Sequence, residues 1–222
     1  MCGRFTLSTD VIQLQKLFDI QQTRADLAPS YNVAPTHDVA VVVQRQGSNS
    51  LELMRWGLIP VWAKDTKMAS KMINARAETI TEKPSFKRLL KSQRCLVLAD
   101  GFYEWREDAG KKAPMFIRLK SLEAFGFAGL YDTWKSPEGE SITTCTIITT
   151  AANELMRKFH HRMPIILPKS AHPLWLDPAR QDIDELVSLL QPYPANEMEA
   201  YPVSPLVNSP SHNVPECVLP VA

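Results

Sequence analysis

Cysteine at position 2, directly after Met1, is the residue of this 222-residue chain with the most distinctive chemistry. If Met1 is lost, Cys2 carries a free amine and a thiol on adjacent carbons. The amine can condense with an aldehyde to a Schiff base, and the thiol can then close a thiazolidine ring on the imine. Both groups titrate within reach of neutral pH, the α-amine near ~8 and a free thiol near ~8.5. The opening Met1-Cys2-Gly3-Arg4-Phe5 therefore points to covalent capture of a carbonyl or acyl group. Gly3, lacking a side chain, lets a ligand come close to Cys2. The plain alternative is a chance cysteine on a frayed terminus.

Four further constellations could carry chemistry. In Ile73-Asn74-Ala75-Arg76-Ala77-Glu78-Thr79, an extended backbone puts Asn74, Arg76 and Glu78 on one face and the apolar residues on the other. A solvated strand face accounts for the same pattern. Glu104 sits in Phe102-Tyr103-Glu104-Trp105, after an apolar run. A carboxylate among aromatics is desolvated, which raises its pKa and suits it to proton transfer; a salt-bridged glutamate at a strand end explains it equally well. Phe159-His160-His161-Arg162-Met163-Pro164 offers an imidazole for acid–base work. If this segment is extended, His160 and Arg162 share a face and His161 points away, and the arginine suggests an anionic ligand such as a phosphate. Finally Arg4, Arg55, Trp56, Trp62, Lys64, Lys67 and Lys71 form a loose basic and aromatic set of the kind that binds single-stranded nucleic acid. Core tryptophans beside a solvated loop would read the same way.

Composition narrows the field. The length suits one domain or at most two small ones. Hydrophobic content of 45% and charged content of 22% are globular values. A net charge of +1 confines any nucleic-acid surface to a local patch. Cys2, Cys95, Cys145 and Cys217 show no C-x-x-C or zinc-like spacing, so neither a metal site nor a bound cofactor is expected. Cys95 and Cys145 read as small buried hydrophobes in strands. There is no signal-peptide pattern and no membrane-length apolar run, so the expected setting is a reducing cytoplasm.

The elements that must position these residues read as follows. Ser8-Thr9-Asp10 caps a short helix carrying Val11, Ile12, Leu14, Leu17 and Phe18. Residues 25–37 and 57–71 read as loops. Strands are expected at Val39–Gln44 and Leu51–Trp56, joined by Gln46-Gly47-Ser48-Asn49. A short helix is expected at Phe86–Lys91. Further strands are expected at Cys95–Ala99, Phe102–Arg106, Met115–Leu119, Ala124–Asp132 and Ile142–Thr149. Ala152–Phe159 and Gln181–Leu190 read as helical. Prolines 202, 205, 210, 215 and 220 rule out a long terminal helix. Strands outnumber helices without alternating with them. The fold class is therefore α+β, mainly β: a curled antiparallel sheet or barrel with peripheral helices.

Taken in order, Met-Cys-Gly-Arg-Phe at 1–5, Tyr31-Asn-Val-Ala-Pro35, Trp56-Gly-Leu-Ile-Pro60 with Trp62-Ala-Lys64, Ile73-Asn-Ala-Arg-Ala-Glu78, Phe-Tyr-Glu-Trp at 102–105 and His160 to Pro164 resemble the SOS response-associated peptidase (SRAP) family. The resemblance spans essentially the whole chain and implies one SRAP domain over 1–222. It also implies a sensor of abasic sites in single-stranded DNA, which crosslinks Cys2 to the ring-opened sugar aldehyde. By the same resemblance Asn74 positions the lesion and the terminus, Glu104 and His160 handle protons, and Arg4, Arg76 and Arg162 hold phosphates, with Asn32 and Trp62 also at the DNA. A secondary lyase activity would follow from a lingering imine. The peptidase label would correspond to removal of Met1 or to self-release. Abasic single-stranded DNA is the expected partner, with no small-molecule cofactor, no membrane and a monomeric protein. Two departures stand out: His161 sits where many relatives carry an acidic or amide residue, and Trp62-Ala63 offers one tryptophan where some carry two.

Two rival readings remain. Glutamine amidotransferases with an N-terminal nucleophile also begin Met-Cys-Gly, and ammonia release from glutamine would mark one. A non-covalent module for modified DNA would retain intact and abasic strands equally.

Overall fold

The computed structural model describes residues 2–108 and 110–221. In chain order the strands are β1 Phe5–Leu7, β2 Ile20–Thr23, β3 Ser30–Val33, β4 Asp38–Arg45, β5 Ser48–Trp56, β6 Asn74–Arg76, β7 Arg94–Ala99, β8 Gly101–Asp108, β9 Lys111–Leu119, β10 Phe125–Lys135, β11 Ser141–Ala151, β12 Arg162–Pro164, β13 Ile166–Leu167 and β14 Met198–Pro202. The α-helices are short: α1 Val11–Leu17, α2 Pro84–Ser92, α3 His172–Leu176 and α4 Ile183–Ser188. The expected class, mainly β with peripheral helices, is the one observed.

Strands β11, β10, β7, β4 and β5 pair in sequence, and β5 returns to β11 through a short parallel contact, Thr144 beside Arg55 and Cys145 beside Trp56, closing a five-stranded ring. Period-two alternation sorts its side chains. Val39, Val41, Val43, Cys95, Val97 and Phe127 pack on one face, with Cys2 and Phe5. Ala40, Val42, Leu96, Leu98 and Leu130 pack on the other, under Leu14, Leu89, Leu90, Trp175 and Leu186 of the helices. Both faces are buried, which is why β4 and β7 read as unbroken apolar runs. A second sheet, in the order β14, β9, β8, β1, β3, contributes Phe102, Met115 and Ile117 to the first of these clusters.

Local chemistry explains the boundaries near the site. Asp100, between β7 and β8, accepts hydrogen bonds from Thr6 Oγ1, the Ser8 amide and hydroxyl, and the Thr9 amide and hydroxyl. That carboxylate clips the end of β1 to the start of β8. Asp10 then caps α1 by accepting from the amides of Ile12 and Gln13. The loop after β5 begins at Gly57 (φ 126°), where a Cβ would lie 2.6 Å from the Ala69 carbonyl oxygen, so only glycine allows the turn.

Several expectations are corrected. The stretch 25–37 contains β3, recruited by pairing with β1. Ala152–Phe159 is not an α-helix; only a 3-10 turn forms at Met156–Lys158, because the chain must return at once to lay β12 against β11. The hairpin between β4 and β5 is tighter than expected, turning on Gln46 (φ 51°) and Gly47 (φ 80°). Helix α3 and strands β2 and β14 were not expected; each is too short to show a period.

Arg94 ties the helices to the ring. It is buried, and its guanidinium donates to five carbonyl oxygens, those of Leu90, Lys91, Trp175, Asp177 and Arg180, at the ends of α2 and α3. Arg94→Met should lower the free energy of unfolding by about 3 kcal/mol or more, because it strands several buried acceptors. A urea transition with an unchanged midpoint would show that these bonds are replaceable.

Candidate active site around the N-terminal segment

Cys2 lies in the cluster shared by the two sheets, with 0% of its surface exposed. Burial pushes its thiol far above the usual range, and the nearby Glu104 carboxylate pushes it in the same direction. The thiol is therefore held protonated. Its backbone is fixed from the side: Asn74 Nδ2 donates to the Cys2 carbonyl oxygen at 2.8 Å.

Asn74 opens β6, which runs parallel to β11 with Asn74 beside Ile147 and Arg76 beside Thr149. Alternation holds over these three residues. Ala75 is buried in the core, while Asn74 and Arg76 face the other way, with Arg76 exposed. The strand ends at Arg76, so Glu78 leaves the expected strand face and sits in a 3-10 turn. The Oδ1 atom of Asn74 is buried and accepts no hydrogen bond among the described residues. An amide acceptor left open beside the terminus is unusual enough to be a candidate for function.

Glu104 lies in the middle of β8, opposite Met115 of β9. Strand alternation puts Phe102 and Glu104 on the side of the Cys2 cluster, and Tyr103 and Trp105 on the other. Tyr103 accordingly packs with Phe116, Val203 and Val207. Glu104 is buried, and desolvation raises its pKa. Antiparallel pairing of β1 with β8 sets Phe5 opposite Phe102 and joins the Tyr103 amide to the Arg4 carbonyl at 3.0 Å, which leads the N-terminal segment back along β8 toward Glu104.

His160 precedes β12. The Arg162 amide donates to His160 Nδ1 at 2.9 Å, so Nδ1 carries a lone pair and the neutral ring bears its proton on Nε2. Partial burial lowers the His160 pKa, which keeps the ring neutral. His161 does not simply point away, as expected from an extended segment; its ring stacks on His160 with centroids 4.2 Å apart. The backbone there is not yet in a strand, so alternation does not apply.

Arg162 reaches across β11 to Thr149, donating through Nη2 to its carbonyl oxygen at 2.6 Å, and forms a bidentate pair with Glu78 at 2.7 and 2.9 Å. Thr149 carried no signal in the sequence, because it is one of five threonines in β11.

Arg4 and Asn32 form a separate group. Arg4 Nη1 donates to Asn32 Oδ1 and to the Val207 carbonyl oxygen, both at 2.6 Å, and its guanidinium lies over the Trp105 ring. Asn32 is 1% exposed, and its Nδ2 donates to the carbonyl oxygens of Ser209 and His212. That amide is fully engaged with the C-terminal segment, so any part it plays at a ligand runs through Arg4. Trp62, by contrast, is 58% exposed. Its loop is pinned beside it by Trp134 Nε1, which donates to the Ala63 carbonyl at 2.7 Å. Lys64, Lys67 and Lys71 are exposed on the same loop. No helix among the described residues is long and apolar enough to cross a membrane.

Comparison with known proteins matches residues 1–210 to the SOS response associated peptidase (SRAP) family. The chain is 52% identical over 221 residues to the abasic site processing protein YoqW of Bacillus subtilis, covering 98% of this chain and 99% of that protein. It is 36% identical to the abasic site processing protein HMCES of Gallus gallus, covering 100% of this chain and 78% of that protein. A crystal structure of a protein from Bacteroides thetaiotaomicron superposes with a TM-score of 0.90 at 31% identity, with both chains fully covered.

Proposed function

This chain belongs to the SOS response associated peptidase family, and from that membership we propose that it captures abasic sites in single-stranded DNA as a covalent adduct on Cys2. The observation that carries the reading is that Asn74 hydrogen-bonds the Cys2 carbonyl while Glu104 lies near enough to act on the Cys2 thiol, three residues from distant parts of the chain.

After loss of Met1, the Cys2 amine adds to C1′ of the open-chain sugar. Water must then leave from the carbinolamine; the proton shed by the attacking amine passes to the departing oxygen, and the Nε2–H of His160 steadies that oxygen as a hydrogen-bond donor. The resulting imine carbon lies within ring-closing distance of the residue's own sulfur. As the C–S bond forms, the thiol proton has to depart. Glu104, whose raised pKa brings its basicity closer to that of its partners, receives it and returns a proton to the ring nitrogen. Asn74 holds the Cys2 carbonyl through Nδ2 and offers its open Oδ1 to the reacting nitrogen. Arg76 and Arg162, with Arg4 braced by Asn32, hold the phosphates beside the lesion, and Trp62 stacks on a base. These contacts are indifferent to base identity, as a lesion sensor requires. Slow ring closure would leave the imine open to β-elimination, a secondary lyase activity. Removal of Met1 is the peptidase step, acting on the chain itself, and the whole chain works as one domain.

Mass spectrometry of the protein mixed with an abasic oligonucleotide tests the proposal. The expected species has the mass of the chain without Met1 plus the oligonucleotide, less one water. An adduct that retains Met1, or no adduct at all, overturns it.

A further inference from the structure

We propose that Glu78 is an intramolecular stand-in for a DNA phosphate, occupying the guanidinium fork of Arg162 in the free protein and yielding it when single-stranded DNA binds. The inference rests on the reading of Arg162 as a phosphate-holding residue.

The donors of Arg162 can be counted. An arginine offers five N–H groups. One on Nη1 and one on Nη2 go to the two Glu78 oxygens, at 2.7 and 2.9 Å. Nη2 also donates to Thr149, at 2.6 Å to the carbonyl and 3.2 Å to the hydroxyl. Nε is buried and has no partner among the described residues. The terminal fork, which is the pair of parallel donors a phosphate would use, is thus filled by a carboxylate of matching geometry. A phosphate and Glu78 cannot both hold it.

The two partners of Arg162 differ in how firmly they sit. Thr149 belongs to the central strand of the site and grips the guanidinium from the protein side. Glu78 sits in a three-residue 3-10 turn on the solvent side, with its side chain 49% exposed while that of Arg162 is 11% exposed. A half-exposed carboxylate can rotate into water at little cost, since exposed ion pairs are weak. Its departure leaves Arg162 still oriented by Thr149. Glu78 also lies close enough to Arg76 for the two charges to interact, so it offsets a second arginine of the same surface. The consequence is selectivity. Isolated anions and poorly seated strands must displace Glu78 for a single contact, whereas a strand that also engages Arg76, Arg4 and Trp62 recovers the cost from several.

The test is equilibrium binding of intact oligothymidylate, which has no lesion and so isolates binding from chemistry. Glu78→Gln should tighten binding roughly three- to tenfold. Because Arg162 meets the phosphate in both complexes, the slope of log affinity against log salt should stay nearly the same. Glu82→Gln, an exposed carboxylate on the same stretch, controls for net charge and should change affinity far less. The gain should vanish in the Glu78→Gln, Arg162→Ala double variant. Weaker or unchanged binding by Glu78→Gln would show that Glu78 merely orders Arg162, and equal gains in both glutamate variants would reduce the effect to net charge; either result overturns the inference. Those failures are distinct from failure of the parent reading, in which the unaltered protein itself neither holds single-stranded DNA nor forms the adduct.

Discussion

Cys2→Ala is expected to abolish the heat-stable adduct with abasic single-stranded DNA, a loss of roughly three orders of magnitude or more in its rate of formation. The argument is one of atoms. Alanine at position 2 keeps an α-nitrogen that can still form an imine, but no sulfur is present to close the ring. The expected outcome is therefore a split. Borohydride should continue to trap a Schiff base on Cys2→Ala, while without reductant the complex should fall apart on heating. Cys2→Ser should behave like alanine in the heat test, since a hydroxyl is a far poorer partner for an imine than a thiol. Because Cys2 is fully buried, the alanine change also removes a packed sulfur, so each variant's thermal transition should be compared alongside. A heat-stable adduct formed by a properly folded Cys2→Ala protein would show that sulfur takes no part.

Glu104→Gln is expected to slow adduct formation by about 10²- to 10⁴-fold, the usual contribution of a positioned acid–base group. The change is nearly isosteric, so strand β8 and its pairing to β9 should persist. Two signatures separate proton transfer from scaffolding. Both proteins should lose rate as the amine protonates, and the unaltered protein should lose a further factor as pH falls through the raised pKa of Glu104, a second limb that should be missing from the glutamine variant. Stability should move the opposite way. A carboxyl whose folded pKa is raised binds its proton more tightly in the native state than in the unfolded one. Stability then declines as pH climbs from the unfolded value, near ~4.3, to the folded value, and the cost persists above it. Removing the charge should therefore leave the protein at least as stable at neutral pH, a slower but firmer molecule of the kind active-site changes commonly give. A glutamine variant that is slow and also markedly less stable would mark Glu104 as structural.

Much of the site could be read before any coordinates. Alternation alone separated Asn74 and Arg76 from Ala75, because β6 is a strand with one buried face. The aromatic setting of Glu104 pointed to desolvation, and β8 supplies it. Other features were illegible for definite reasons. Asn32 looks like any polar residue in a loop. Its engagement with Ser209 and His212 depends on a C-terminal segment 177 and 180 residues away, and no local pattern reports such a contact. The helix expected at Ala152–Phe159 had adequate local propensity and lost to the requirement that Arg162–Pro164 pair with β11. His161 was assigned by strand alternation to a backbone that is not a strand. The partnership of Arg162 with Thr149 is a contact between adjacent strands, invisible until their register is known.

The burial of Cys2 has a chemical corollary. Peroxides and alkylating agents attack thiolates at accessible sulfur, and this sulfur is neither ionised nor reachable from bulk solvent. In the proposed capture the electrophile is a carbon already tethered to its own backbone nitrogen, where covalent connection supplies an effective concentration no free reagent attains. If capture proceeds as proposed, alkylation of the folded protein is expected to spare this sulfur, which mass spectrometry after treatment with iodoacetamide checks.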